Sequence, residues 1–421
     1  MKIAIILFVM TYALLIIFQN YRAYIAIGSS IVFIAFGILP GEKILTAIDW
    51  NVILMITGTM GIVSLFIESK MPSLLADIIL EKMPNVKWAI ISLSLFAGII
   101  SAFIDNVATV LMVAPVALNI SKKLNISPVK SIISIAVASN LQGAATLVGD
   151  TTSILLAGYE GMNFLDFFFF KGKIGMFWIV QAGAIASTFV LLRIFRNDNK
   201  KIDKTSRTVV EDFFPSFLLV GMIVLLIIAS FLPNMPSTIN GIICVLLLAI
   251  GLIRDIIVKK NANNAIRVVK EIDYFTIGLL AGLFVVIAGI TEAGVVDELS
   301  KLFIKVSGDN LFVIYTIIVW SSVIFSAFID NIPYIATMLP VVQSISVLLG
   351  IEPYILYFGL LSGATLGGNC TPIGASANIA GLGILRKEGY SVSASTFMKI
   401  GVPFTLAAVT TAYILIWLIW A

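Results

Sequence analysis

Long apolar runs follow one another almost without interruption, at 3–18, 22–40, 50–68, 88–104, 107–120, 130–158, 172–193, 214–233, 237–257, 273–291, 310–328, 332–349, 353–383 and 397–420. Most are long enough to cross a bilayer, where a backbone must satisfy its own hydrogen bonds and helices do so within one segment. The chain is therefore expected to be an all-α polytopic membrane protein. Its charge agrees: 12% of the residues are charged, against ~25% in soluble domains. The first run, MKIAIILFVMTYALLIIF, has no small-residue cleavage site and reads as a span rather than a leader.

Within these runs the hexapeptide SAFIDN occurs at 101–106 and again at 326–331. The offset that pairs Asp105 with Asp330 also pairs Pro115 with Pro340, Gly143 with Gly368, Thr146 with Thr371, Gly149 with Gly374 and Gly158 with Gly383. An offset one residue shorter pairs Asp49 with Asp273, Gly58 with Gly282 and Glu68 with Glu292. So long a register indicates duplication, from which many transporters are built. The charged stretch RIFRNDNKKIDKTSRTVVED divides the copies. The expected organisation is inverted repeat 1 over 1–193, a cytoplasmic linker over 194–212 and inverted repeat 2 over 213–421.

Each repeat is expected to make five crossings, one of them by a broken helix, and to carry one re-entrant hairpin. The hairpins pair the runs 88–104 with 107–120 and 310–328 with 332–349. An odd number of crossings inverts the second copy. With the linker inside, most of the 27 Lys and Arg lie on the cytoplasmic side, leaving Lys2, Lys43, Lys171, Lys173, Lys301 and Lys305 outside. That is the bias expected of a multi-pass protein of the cell (plasma) membrane, here with an external C-terminus. Full transmembrane pairs in place of the hairpins would keep the same distribution.

The chemistry lies where the runs are interrupted. A carboxylate at the bilayer centre costs at least ~2.5 kcal/mol on insertion scales. Each Asp-Asn pair precedes an apolar helix, whose N-terminus it can cap. Capping alone would be served by Ser or Thr, so Asp105 and Asp330 are assigned the further task of meeting a cation or a proton. The segments 143–153 and 368–378 place Gly, Pro and small polar residues at membrane depth and should break a helix there. They and their flanks offer Asn140, Thr146, Gly149, Asp150, Thr151 and Thr152 in the first copy, and Asn369, Thr371, Gly374, Ser376 and Asn378 in the second. With Asp105, Asn106, Asp330 and Asn331 these make up the candidate ion- and substrate-binding set. Sodium is placed at Asp105 and Asn106 and at Asp330 and Asn331, with backbone carbonyls of the broken helices. Asp150 has no carboxylate counterpart, because Ala375 stands in its place. The two clusters are thus chemically unequal.

Other features weigh less. Glu68 and Glu292 near span ends read equally well as interfacial. Cys244 and Cys370 form no disulfide framework, and Cys370 reads as a small apolar filler. MPSLLADIILEK and VVDELSKLFIKV are amphipathic and should lie along the interface. There is no histidine, no cofactor signature, no ATPase motif and no nucleophile–base pair, so an enzyme is not expected. Nor is a nucleic-acid partner, and nothing indicates a separate soluble ATPase subunit.

SAFIDNVATVLMVAP, NLQGAATLVGDTTS, SAFIDNIPYIATMLP and GGNCTPIGASAN resemble the motifs of the ArsB/NhaD family of the ion transporter superfamily. That family is related to the P protein and, more distantly, to sodium–dicarboxylate carriers. The likeness covers nearly the whole chain. It implies inverted repeats, a transport unit from 88–158 and 310–383 moving elevator-fashion against a scaffold made by the rest, and a homodimer. In distant relatives the hairpin tips and broken helices hold sodium and substrate, a role that maps here onto 105–106, 330–331, 143–153 and 368–378. Asp-Asn replaces the Ser-Asn-Thr typical of dicarboxylate carriers, and GDTTS replaces GDPPN and looks closer to sodium–proton antiporters. The expectation is an ion-coupled secondary transporter exchanging sodium for protons, with the bilayer and a small ion as its partners. Arsenite or antimonite efflux, sodium-coupled organic anion (dicarboxylate) transport and an anion channel are the alternatives. No clear mid-membrane Lys or Arg is visible to hold an anion.

Overall fold

A computed structural model describes residues 1–421 except 202–206, 211, 233–234, 261 and 309. The described helices fall into two series of the same order. The first comprises α1 (Lys2–Ile17), α2 (Arg22–Ala35), α3 (Ile44–Ala47), α4 (Trp50–Glu68), α5 (Met71–Glu81), α6 (Val86–Ser101), α7 (Asn106–Lys123), α8 (Val129–Gln142), α9 (Thr151–Glu160) and α10 (Met176–Ile194). The second comprises α11 (Phe214–Phe231), α12 (Ile239–Lys259), α13 (Asn263–Glu271), α14 (Tyr274–Glu292), α15 (Val295–Ser307), α16 (Leu311–Ser326), α17 (Asn331–Leu349), α18 (Tyr354–Gly367), α19 (Ser376–Lys387) and α20 (Ala394–Trp420). A two-stranded hairpin, Phe169–Phe170 with Lys173–Ile174, is the only sheet among the described residues.

Among the described residues, α4, α10, α11, α12, α14, α17 and α20 are long and apolar enough to span a membrane. The count rises to nine if two bent pairs, α1 with α2 and α15 with α16, are each one span. The protein is thus a multi-pass membrane protein. The bends are 113° and 115°. The run 22–40 proves shorter as a helix than its hydropathy suggests, ending at Ala35.

Small residues set the close packing, as is common between membrane helices. Gly58 of α4 lies against the backbone of Cys244 in α12, leaving no room for a methyl group. Gly282 of α14 does the same with α2, where an added methyl would stand 2.5 Å from the Ala26 carbonyl carbon. On the other side, α6 packs on α8 and α16 on α18. The sequence reading groups 172–193 and 397–420 with the scaffold, but α10 and α20 pack on each other and on the hairpin side. The Ser187 hydroxyl donates to Phe404 O at 3.0 Å, Gln142 and Gln181 exchange amide hydrogen bonds of 2.9 and 2.7 Å, and Tyr315 Oη donates to Tyr413 O at 2.7 Å.

Both amphipathic segments are helices, α5 and α15. A third, α13, buries Ala265 and Val268, three residues apart, and exposes Arg267, Lys270 and Glu271. The linker 194–212 is only partly described, since 202–206 and 211 lie outside the described residues. Its described ends run beside α5 and the start of α6. Val86 N donates to Lys200 O at 2.9 Å, and Arg207 forks onto Glu81 at 2.7 and 2.6 Å.

Candidate functional site

Each broken helix is built around the tip of the hairpin in its own copy. In the first, α8 stops at Gln142 and α9 starts at Thr151, with buried backbone between them. The Thr146 hydroxyl donates to Ala102 O at the hairpin tip. A methyl group at Gly149 would stand 2.8 Å from Gly143 O and 3.0 Å from Ala102 O. In the second copy the Thr371 hydroxyl donates to Ala327 O, and a methyl at Gly374 would meet Gly368 O at 2.5 Å and Ser326 O at 2.7 Å. Each hairpin tip thus seats on the break of its own copy. Asp105 caps α7 through Ala108 N and Asp330 caps α17 through Ile332 N, both at 3.0 Å.

The two copies meet at one cavity of about 780 Å³. Asp105, Asn106, Asp150 and Thr151 reach it from the first copy, and Asn331 and Ser376 from the second. Its mouth is lined by Glu68 and Lys70 near the C-terminal end of α4 and by Asp273 and Thr276 at the N-terminal end of α14. Those equivalent helices therefore present opposite ends to the same opening. Asp150 is 6% exposed and accepts from Thr152 Oγ1 at 3.1 Å and Asn331 Nδ2 at 3.3 Å. Behind it Asn106 Nδ2 donates to Asn140 Oδ1 at 2.9 Å, and Asn140 Nδ2 to Thr365 O at 2.8 Å. Thr152 and Thr365 share a hydroxyl contact of 2.9 Å. Side chains from both copies thus form one polar network.

Charge in the cavity is uneven. Glu68 and Glu271 are tied to Arg267. Asp105, Asp150 and Asp273 also face the cavity, and among the described residues none of them has a basic partner. No group of three or more His, Cys, Asp or Glu among the described residues is placed to hold a metal ion together.

The remaining candidates do not line this cavity. Thr146, Gly149, Thr371 and Gly374 hold backbone to backbone. Asn369 and Asn378 are fully buried, and their Nδ2 atoms donate to Val137 O at 2.9 Å and to Gly368 O and Thr371 O at 3.1 Å. Among the described residues their Oδ1 atoms have no hydrogen-bond partner. Asp330 does not line the cavity. Its carboxylate is held by Arg22 Nη1 at 2.7 Å.

Arg22 is held against Asp330 with its side chain 12% exposed, and is not free in a loop. As the only base in FQNYRAY, between two apolar runs, it passes for an ordinary loop charge in the sequence. Arg267, Glu271 and Asp273 also line the cavity without standing out in the sequence. Only the pairing of Asp273 with Asp49 hinted at one of them.

The family described as citrate transporter matches residues 12–360. An uncharacterized transporter of Mycobacterium tuberculosis is 30% identical over 99% of this chain and 98% of its own length. The 46 kDa membrane protein of Mycobacterium leprae is 30% identical with the same coverage. The human P protein is 25% identical over 95% of this chain and 57% of its own length. Among solved structures, the YdaH transporter of Alcanivorax borkumensis, described as having an unusual topology, superposes with a TM-score of 0.60 over 94% of this chain and 96% of that one, at 13% identity. This last likeness is one of fold.

Proposed function

The chain belongs to the citrate transporter family of the ion transporter superfamily, and from that premise we propose that it is an ion-coupled secondary transporter of the ArsB/NhaD type that exchanges sodium for protons. The observation that carries this is the set of three carboxylates without a basic partner, Asp105, Asp150 and Asp273, in one cavity. An anion entering there meets uncompensated negative charge, whereas a sodium ion or proton neutralises it. Sodium would take oxygens of Asp105, Asn106, Asp150, Thr151 and Thr152 in the first copy. In the second it would take Asn331, Ser376 and the free carbonyls of Asn369 and Asn378. Proton and sodium compete for the same carboxylates, and that competition couples the two fluxes.

The proposed transport unit is α6–α10 with α16–α20, and α1, α2, α4, α11, α12 and α14 form the scaffold. This includes α10 and α20 because of what they pack against. The unit moves as a body, since the polar network joins both copies and would expose buried charge if it came apart. We place the linker in the cytoplasm, the C-terminus outside, and the protein in the plasma membrane as a homodimer.

One observation favours a second reading, sodium-coupled transport of an organic anion. The N-termini of α7 and α9 open into the cavity beside Lys70 and Arg267, and helix N-termini attract anions. Reconstitution in liposomes separates the readings. An acidic interior should drive sodium uptake against its gradient without added anion. Sodium-dependent citrate uptake with no such exchange would install the second reading. Arsenite or antimonite moving against its gradient would point to metalloid efflux. Anion flux only down its own gradient would mean a channel.

A further inference from the structure

The two hairpin tips carry the same Asp-Asn pair, yet the structure treats them differently. Asp105 faces the cavity without a base. Asp330 is 15% exposed and paired with Arg22, which stands at the bend between α1 and α2 and also donates through Nε to Leu15 O at 3.3 Å. Tyr12 of α1 adds a second grip, donating to Pro333 O at 2.8 Å and sharing a hydroxyl contact with Thr337. Scaffold helices α1 and α2 therefore hold the start of α17.

Among the described residues the other copy has no such hold. Gly282 closes on Ala26 where Gly58 closes on Cys244, and Gly278 lies beside Ala23 where Leu54 lies beside Gly241. These matched contacts make Asn240 the counterpart of Arg22. Asn240 is uncharged and lines a second cavity, of about 750 Å³, at the opposite end of α4. Between the two cavities α9 packs on α4. Thr151 lines the first cavity and Ala157 and Gly158 line the second, with Gly158 against Asp49 and Val52. The equivalent Gly383 has nothing within 4 Å of an added methyl, so the matching seam in the second copy is open.

We propose that Arg22 is an internal counter-ion for Asp330 that clamps the second hairpin tip to the α1–α2 arm, holds the protein with its Asp105 side open, and releases Asp330 once in every cycle. The clamp rests on the alternating-access reading above. It makes the hairpins functionally unequal: Asp105 exchanges cations, and Asp330 positions the unit. Releasing the clamp lets α9 leave α4 and opens the seam at Gly158.

The test reads conformation, not transport. With Cys244 and Cys370 replaced by Ala, a cysteine is placed at Ala157, which is 3% exposed at the seam, and its modification by a small water-soluble maleimide is timed. Arg22→Gln and Asp330→Asn should each speed labelling by ~10-fold or more, because labelling follows the population of the other state. The double variant should add nothing, and Arg22→Lys should stay within ~2-fold of the parent. A cysteine at Ser187, buried between α10 and α20, should label no faster in any of them, which separates release from general loosening. Unchanged labelling in Arg22→Gln, additive effects in the double variant, or equal acceleration at Ser187 would overturn the clamp. Absence of sodium–proton exchange in the parent would instead reject the functional reading and leave the labelling result standing.

Discussion

Asp150→Asn is expected to reduce sodium-dependent transport by roughly 10- to 100-fold while leaving the protein folded. The carboxylate accepts from Thr152 and Asn331 and faces the cavity. Asparagine keeps the shape and one acceptor oxygen, so the network between the copies survives in part. What it loses is the charge that a cation meets. Hydrogen bonds and contacts to a charged group are worth about 1.5–3 kcal/mol, which is about 10- to 100-fold in affinity. Burying a charge is costly, so neutralising it should not lower thermal stability and can raise it. Asp105→Asn should behave alike in transport, because its main-chain cap on Ala108 can be kept by the amide oxygen. The measurement is initial uptake in liposomes beside a melting curve. Normal uptake with either variant would reduce both acids to helix caps.

Gly374→Ala should cost more in structure than any charge change. The added methyl would meet Gly368 O at 2.5 Å, Ser326 O at 2.7 Å and Ala327 O at 2.9 Å. All three are backbone oxygens, from the break itself and from the hairpin tip, and none can swing aside as a side chain would. Overpacking a rigid site costs about 1–3 kcal/mol or more. One of the three oxygens, Ala327 O, also accepts from Thr371, so the hairpin should lift from the broken helix. Gly221→Ala is the control. That glycine lies inside α11 with nothing within 4 Å of an added methyl, and alanine there should be neutral or stabilising by up to ~1 kcal/mol. Lower expression and melting temperature are expected for Gly374→Ala alone. Equal stability of the two variants would mean that the tip does not depend on this contact.

What could be read from the chain was what repeats. Apolar runs located the helices, and the offset between Asp105 and Asp330 located equivalent elements, because duplicated contacts demand duplicated glycines and threonines. The pairs Gly149–Gly374 and Thr146–Thr371 show why. Each makes the same bond or close approach to its own hairpin tip, so the pattern in sequence is the pattern in space. What repetition could not show was how the copies differ. Arg22 looks like any charge between two spans until folding brings it, more than three hundred residues away in sequence, onto Asp330. The placement of α10 and α20 was hidden for a related reason. A mostly apolar helix suits lipid, scaffold and transport unit equally, and the proposed placement of α10 rests on contacts such as Gln142 with Gln181.

The central claim, that the cavity beside the hairpin tips binds the coupling cation, is tested most directly by equilibrium binding of radioactive sodium to the purified protein in detergent. Saturable binding that protons displace, and that the Asp105→Asn, Asp150→Asn double variant loses while Gly221→Ala keeps it, is the expected result. Saturable sodium binding that the double variant retains in full, or no saturable binding by the unmodified protein, would contradict the account.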